Sequence, residues 1–394
     1  MLALTASTIV HPAGHGLDEL WATVIQGRSG LRYKPLEWCS LDAWIGAVPG
    51  VEDVRLPETW ADWDCRNHRL VWLSLQNSGF VQAVRKAVAR YGGPRVGLVL
   101  GTSTSGIRST EVAYAQRRAC DHWPEDFKFR HTHTVDALTR FTAMVLGLNG
   151  PMTTLCTACS SSAKAFLTAQ RWIQVGLIDA AVVGGADSLC LSTLLGFDSL
   201  QLLSPRPCRP FDAARDGISI GEAAGFALLE PDQTRGKDTV YFVAGGESSD
   251  AHHMSTPHPN GLGAALAMRA ALDAAGLSPA DIGYVNAHGT ATPANDRAEA
   301  AALASVFGDQ GVSVSSTKGI TGHTLGACGI VEALITAEAL RHQILPATTN
   351  LEHPDADLPL DLIVTPREAK LQYAMSNNFG FGGSNCSLIF CRSN

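Results

Sequence analysis

The sequence predicts a layered α/β protein, and three observations carry that prediction. Short β-branched apolar runs end in glycine or small polar residues. Stretches rich in Ala and Leu, with the length and pattern of helices, lie between them. The second half of the chain then echoes the first. With 394 residues, 45% of them hydrophobic and 17% charged, the chain can bury a large core. A formal net charge of −7 and the lack of a basic run argue against a nucleic-acid binder.

In chain order, MLALTASTIVHPAGHG reads as a first strand. It has neither the basic lead nor the small-residue cleavage site of a signal peptide. Strand-like runs follow in RVGLVLGTSTSG (95–106), MTTLCTACSSS (152–162), IDAAVVGGAD (178–187) and GFALLEPD (225–232). The second half supplies TVYFVAGGESSD (239–250), IGYVNAHGT (282–290), VSVSSTKG (312–319) and NCSLIFC (385–391). Helices are expected over 162–175, 263–275 and 328–341. In each half a strand ends in a small-residue loop and a helix follows: CSSSAKAFLTAQRWIQVG first, LGACGIVEALITAEALRHQ second. A duplicated unit is therefore expected, with its seam in PDQTRGKD (231–238) and halves of 1–234 and 235–394. No run approaches the ~18 uninterrupted apolar residues of a membrane span.

Four stretches could carry chemistry. Cys159 stands where a strand-like run meets a helix-like one, so helix N-terminal N–H groups can stabilise its thiolate as a nucleophile. Read alone, a free cysteine is more often a small buried hydrophobe. Cys156, Cys190, Cys208, Cys328 and Cys386 carry only that second reading. CTAC spaces Cys156 and Cys159 as a dithiol would, but no second pair follows at zinc-ligand spacing, so no metal site is expected. Ten cysteines without a disulfide framework fit reduced thiols in a cytoplasm. NAHGTAT (286–292) places His288 at a strand end, where a cleft histidine can be held in one tautomer. STKGITGHTLGACG (316–329) sets Lys318 and His323 among glycines, without the order of a phosphate loop. NNFGFGGSN (377–385) puts Phe379 and Phe381 in a Gly-rich turn able to offer an oxyanion-hole N–H, or to close a hairpin on two core aromatics. The histidines of AHHMSTPHP (His252, His253, His258) and the glycines of GLGAAL assign no site.

Taken together and in order, TACSSSA, SDAHHMSTPHPNGLGAALAM, NAHGTATPANDRAEA, SSTKGITGHTLGACGIVEA and NNFGFGGSNCSLIF resemble the elongating β-ketoacyl-[acyl carrier protein] synthases. The resemblance runs from GLDELWATVIQGRSG onward. It implies the thiolase fold, two duplicated α/β halves in an αβαβα arrangement. It also implies a Cys-His-His site: Cys159 as acyl acceptor, His288 and His323 paired, and Lys318 in support with Glu332. Asp296 and Glu299 match a structural acidic pair. Thr290 and Thr292 match residues lining the pantetheine channel. Phe381, with Phe379 beside it, matches the acyl gate, and the N–H groups of Phe381 and Cys159 match the oxyanion hole.

The implied reaction is decarboxylative Claisen condensation with malonyl-[acyl carrier protein]. It needs no resident cofactor, because phosphopantetheine arrives on the carrier. Thiolases replace one histidine with a cysteine and initiating synthases use Asn, so His288 with His323 indicates elongation. The alternative is a non-catalytic chain-length-factor-like subunit, and Cys159 argues against it. The resemblance further implies an acyl carrier partner and a homodimer, or a heterodimer with a chain-length-factor subunit. Ile218 stands where the family commonly has Phe after RPFDAARDG, a departure consistent with an aryl polyene or polyketide-type pathway. One last stretch, GFDSL, mimics the serine motif of a carrier protein at Ser199. Its neighbours are not a small four-helix domain, so Phe197, Leu200 and Leu203 are expected to pack inward instead.

Overall fold

The computed structural model describes residues 1–76, 79–231, 236, 238–308 and 311–393. Ten strands of a twelve-stranded sheet form two units. The first contains β1 (Leu2–His11), β2 (Val96–Gly101), β3 (Met152–Leu155), β4 (Ala180–Asp187) and β5 (Ala223–Pro231). The second contains β6 (Val240–Ser249), β7 (Ile282–Asn286), β8 (Ser313–Ser315), β9 (Tyr373–Gly380) and β10 (Ser384–Arg392). The spatial order is β3-β2-β4-β5-β1 in the first unit and β8-β7-β9-β10-β6 in the second. Directions repeat as well. β2 runs parallel to β3 and β4, and β7 parallel to β8 and β9; the other neighbours are antiparallel. The duplication that the sequence only hints at is thus complete in topology. A short pairing of Leu2 and Ala3 with Phe242 and Tyr241 joins the units edge to edge. The expected boundary between residues 234 and 235 lies outside the described residues.

The helices complete the layers. α1 (Arg66–Gln76), α2 (Phe80–Tyr91) and α3 (Ile107–Cys120) precede α4 (Asp136–Leu146), α5 (Ser161–Gln174) and α6 (Leu191–Ser199). α7 (Leu262–Ala275), α8 (Pro293–Phe307) and α9 (Cys328–His342) follow. One apolar cluster joins Phe166 of α5 and Ile330, Leu334 and Ile335 of α9 to both sheets through Val183, Leu229, Phe242 and Phe390. α5 and α9 are therefore the central layer. A second cluster packs α1, α2 and α4 on the outer face of the first sheet, and a third packs α7 and α8 on the second. The order of layers is αβαβα. Every residue of α9 from Cys328 to Leu340 is buried. Apart from Glu332, Thr336 and Glu338, that stretch is apolar or small on every side, as a helix between two sheets requires.

The central pair approaches closely because small residues meet there. A Cβ on Gly329 would come within 2.3 Å of the Ala163 nitrogen. This contact brings the first turns of α5 and α9 together, and with them the loops that carry the candidate residues. Among the described residues no helix is long and apolar enough to cross a membrane.

Candidate active site

Cys159 lies between β3 and α5 and is 5% exposed. The turn is tight: Ala158 adopts the left-handed conformation at φ 51°. The serines that follow hold it. Ser160 Oγ donates to the Thr157 carbonyl at 2.9 Å, Ser161 Oγ donates to the Ala158 carbonyl at 2.6 Å, and the Thr157 N–H donates to Ser161 Oγ at 2.9 Å. The CSSS run therefore serves the turn as much as the helix.

Two loops of the second unit bring the histidines to this sulfur. His288 follows β7, and its N–H and that of Gly289 donate to Glu299 at 2.8 and 2.7 Å. His323 is pinned on both sides of its peptide: its N–H donates to the Ser219 carbonyl at 2.7 Å and its carbonyl accepts from Gly221 at 3.0 Å. Asp187 then accepts from the Gly326 N–H and from Thr102, Ser103 and Thr104, tying the His323 loop to the end of β2. The rings of His288 and His323 stand edge to face with centroids 5.2 Å apart. His323 Nε2 is 3.0 Å from Cys159 Sγ.

Lys318 closes the cluster. Its ammonium donates to Glu332 Oε1, to the His288 carbonyl and, at 3.3 Å, to His288 Nδ1. Both partners of the Lys318–Glu332 pair are buried. An ammonium has only donors to offer, so His288 Nδ1 accepts and its proton sits on Nε2.

Burial, with the Lys318 charge behind it, lowers both histidines well below 6.5, so they are neutral. Burial also pushes Cys159 up to about 11, against the Phe381 backbone N–H and Lys318, which pull it down. This corrects the expectation of a resting thiolate. The helix N-terminus is present, but the sulfur is enclosed, and desolvation outweighs it. The resting site holds a thiol beside two neutral imidazoles. Cys159, His288 and His323 do offer ligand atoms within 4.8 Å of one another, as do His288, Cys328 and Glu332. Lys318 puts a positive charge against these same groups, which suits a cation poorly.

Two cavities meet at Cys159. The first is lined by Cys159, His288, Thr290, Thr292, His323, Phe379 and Phe381. Thr290 and Thr292 hydroxyls lie 3.0 Å apart on its wall, and Thr292 also caps α8 through the Asn295 N–H. The second cavity, about 330 Å³, is walled by Ser103, Thr104, Ser192, Thr193, Gly196 and Leu200. Cys159, Phe197 and Phe381 line both. Phe381, 37% exposed, packs on Phe197 at 5.4 Å, whereas Phe379 is buried near His288. The β9–β10 pair is thus a hairpin with one core aromatic and one at the cavity junction. Asp296 accepts from the Phe211 and Ala291 N–H groups and faces Arg215 at 3.7 Å, so with Glu299 it fastens the loop behind the histidines.

Some readings shift. Ser199 ends α6 and donates to the Gly196 carbonyl within the same helix. Leu200 is half exposed and lines the second cavity instead of packing inward, because α6 is the cavity's wall and not a core helix. Phe197 and Leu203 do pack on a small apolar cluster. Sequence reasoning missed Asp187, Asn378 and Glu111, which accepts from the Leu191 and Ser192 N–H groups and anchors α6 on α3. It also left Cys328 unassigned, although that thiol touches the Cys159 carbonyl.

Residues 2–235 match the family described as Beta-ketoacyl synthase, N-terminal domain, and residues 241–352 match Beta-ketoacyl synthase, C-terminal domain. The chain is 34% identical to 3-oxoacyl-[acyl-carrier-protein] synthase 2 of Vibrio cholerae over 99% of both chains. It is 38% identical to Nodulation protein E of Rhizobium meliloti over 75% of each. Among solved structures, it superimposes on the ketosynthase (ApeO) in complex with its chain length factor (ApeC) from Xenorhabdus doucetiae with a TM-score of 0.90. That likeness has 36% identity and covers 100% of this chain and 98% of the other. The ishigamide ketosynthase/chain length factor gives 0.91 at 28% identity, covering 100% and 99%.

Proposed function

The chain belongs to the β-ketoacyl synthase family, and from that premise we propose how its residues perform an elongating condensation. The enzyme is an acyltransferase that joins an acyl group to the two-carbon unit of malonyl-[acyl carrier protein], releasing CO₂ and giving a 3-ketoacyl-[acyl carrier protein]. One observation carries the assignment of roles: Cys159 Sγ, His288 and His323 converge where the two cavities meet.

Cys159 Sγ attacks the carbonyl of the incoming acyl thioester. The proton between Sγ and His323 Nε2 leaves the sulfur and ends on the departing pantetheine thiol. The N–H groups of Cys159 and Phe381 hold the tetrahedral oxyanion. The acyl chain then lies in the cavity behind Phe381, whose volume suits a small-molecule chain. Malonyl carrier next presents its pantetheine past Thr290 and Thr292. Loss of CO₂ leaves an enolate, and its oxygen accepts from the Nε2–H of neutral His288, the tautomer that Lys318 sets. The enolate carbon attacks the acyl carbonyl on Cys159, the C–S bond breaks, and the thiolate takes a proton from water. No resident metal or redox cofactor takes part in this scheme. Phosphopantetheine enters on an acyl carrier protein, the first partner we assign.

The second partner is another ketosynthase-type chain, identical or chain-length-factor-like. β3 supports this reading: it is the outer strand of the first unit, only partly buried, and leads directly to Cys159. An open edge of this kind invites pairing. The solved relatives with a chain length factor support it further. The non-catalytic alternative is not favoured, because nucleophile and both histidines are assembled. The test is product formation: acyl carrier plus malonyl carrier and purified enzyme should give a carrier-bound 3-ketoacyl chain two carbons longer. A chain unchanged in length would overturn the reading.

A further inference from the structure

The site holds a second thiol that this scheme does not use. Cys328 opens α9 and is 1% exposed. Its Sγ–H donates to the Cys159 carbonyl at 3.0 Å. Asn378 Nδ2 approaches the same sulfur at 3.5 Å and also donates to Glu332 Oε2. The other oxygen of Glu332 holds Lys318, which orients His288. A single thiol therefore connects the peptide of the nucleophile to the ion pair that sets the histidine tautomer.

Cys328 is fitted to donate and not to compete as a nucleophile. It is enclosed, and the Glu332 carboxylate faces it, so both burial and charge keep the proton on sulfur despite Lys318. The peptide it holds needs holding. Cys159 follows Ala158, a non-glycine residue in the left-handed region. Any relaxation of that turn moves the Cys159 N–H and Sγ relative to Phe381 and His323. Reaction rates fall steeply when such groups drift from the attack geometry.

We propose that Cys328 is a positioning residue for Cys159, fixing the nucleophile's turn through the S–H···O=C contact and coupling it to Lys318, Glu332 and Asn378. This rests on the reading of Cys159 as the acyl acceptor.

The test is single-turnover acylation by octanoyl-[acyl carrier protein], followed by intact-protein mass, in wild type, Cys328→Ala and Cys328→Ser. With one hydrogen bond lost, Cys328→Ala should lower the maximal acylation rate about three- to tenfold and leave the half-saturating carrier concentration nearly unchanged. Cys328→Ser, which keeps a donor, should recover most of the rate. A packing role alone would lower thermal stability without this rate-against-affinity split. Should the alanine variant not fold, Cys328→Val offers a second chain without a donor and with the volume kept. Equal maximal rates in wild type, serine and donor-less variants overturn the proposal. Absence of any adduct on Cys159 in the wild type overturns the proposed nucleophile instead, so the two failures are distinct.

Discussion

Lys318 Nζ stands 3.3 Å from Nδ1 of His288 while pairing with buried Glu332. The ammonium makes that nitrogen an acceptor and leaves the His288 proton on Nε2, directed at the reacting atoms. Lys318→Met should thus harm condensation more than acylation. Losing the set donor at the enolate oxygen costs about 10²-fold in malonyl decarboxylation, the scale of one oxyanion-hole donor. Cys159 acylation, measured separately by intact mass, should fall far less. Stability should drop too, by about 3–5 kcal/mol, because Glu332 stays buried without its partner. Glu332→Gln, measured in parallel, should lose a comparable amount, since it leaves the Lys318 ammonium buried without its counter-charge.

The cavity proposed to hold the acyl chain yields a second prediction. Gly196 lies in α6 on the cavity wall, and a Cβ built there meets nothing within 4 Å. Gly196→Leu should fill that space and shorten the acyl chain the enzyme accepts. Competition between hexanoyl and dodecanoyl carriers for Cys159 measures it. The same change should raise helix stability slightly, by about 1 kcal/mol, so a loss of long-chain acylation cannot be put down to unfolding.

The cavity proposed to admit pantetheine gives a third. Thr290→Val removes one hydroxyl from the channel wall while keeping its shape. One hydrogen bond of about 1 kcal/mol lost in both ground and transition states should raise KM for carrier substrates roughly fivefold, with kcat nearly constant. Steady-state kinetics with malonyl carrier would show that split.

Stability should also depend on pH through four buried histidines. Burial lowers His11 to about 3 and His68 to about 4, and it holds His288 and His323 well below 6.5. In the unfolded chain each protonates near 6.5, before its folded counterpart. The unfolded state then binds more protons, so stability is full above pH 6.5 and is lost as pH falls toward the folded values. Buried Glu299, raised to about 7, acts with the opposite sign, so the decline in urea midpoints from pH 7.5 to 4.5 is that of the four histidines less the gain from Glu299. His68→Asn should flatten part of that decline.

Much of this was legible in the chain. The strand-loop-helix rhythm located most of the central strands, because β-branched runs ending in small residues leave little choice of conformation. The loops bearing Cys159, His288, His323 and Phe381 were legible from their glycines and short polar residues, which tight turns at a site require. Other features were not. The resting charge of Cys159 depends on how fully Phe381, His323 and the α9 start enclose it, and no local pattern encodes that enclosure. Leu200 looked like a core residue because Phe197, Leu202 and Leu203 flank it, yet it borders a cavity just past the end of α6. Cys328 and Asp187 act through contacts across 169 and up to 139 residues of chain, so only the fold reveals them.

The most direct test of the account is intact-protein mass after exposure to octanoyl-[acyl carrier protein]. The account predicts one octanoyl adduct per chain, mapped by peptide digestion to Cys159, discharged by malonyl-[acyl carrier protein], and absent in Cys159→Ala. An adduct that persists in Cys159→Ala, or one mapped to another residue, would contradict it.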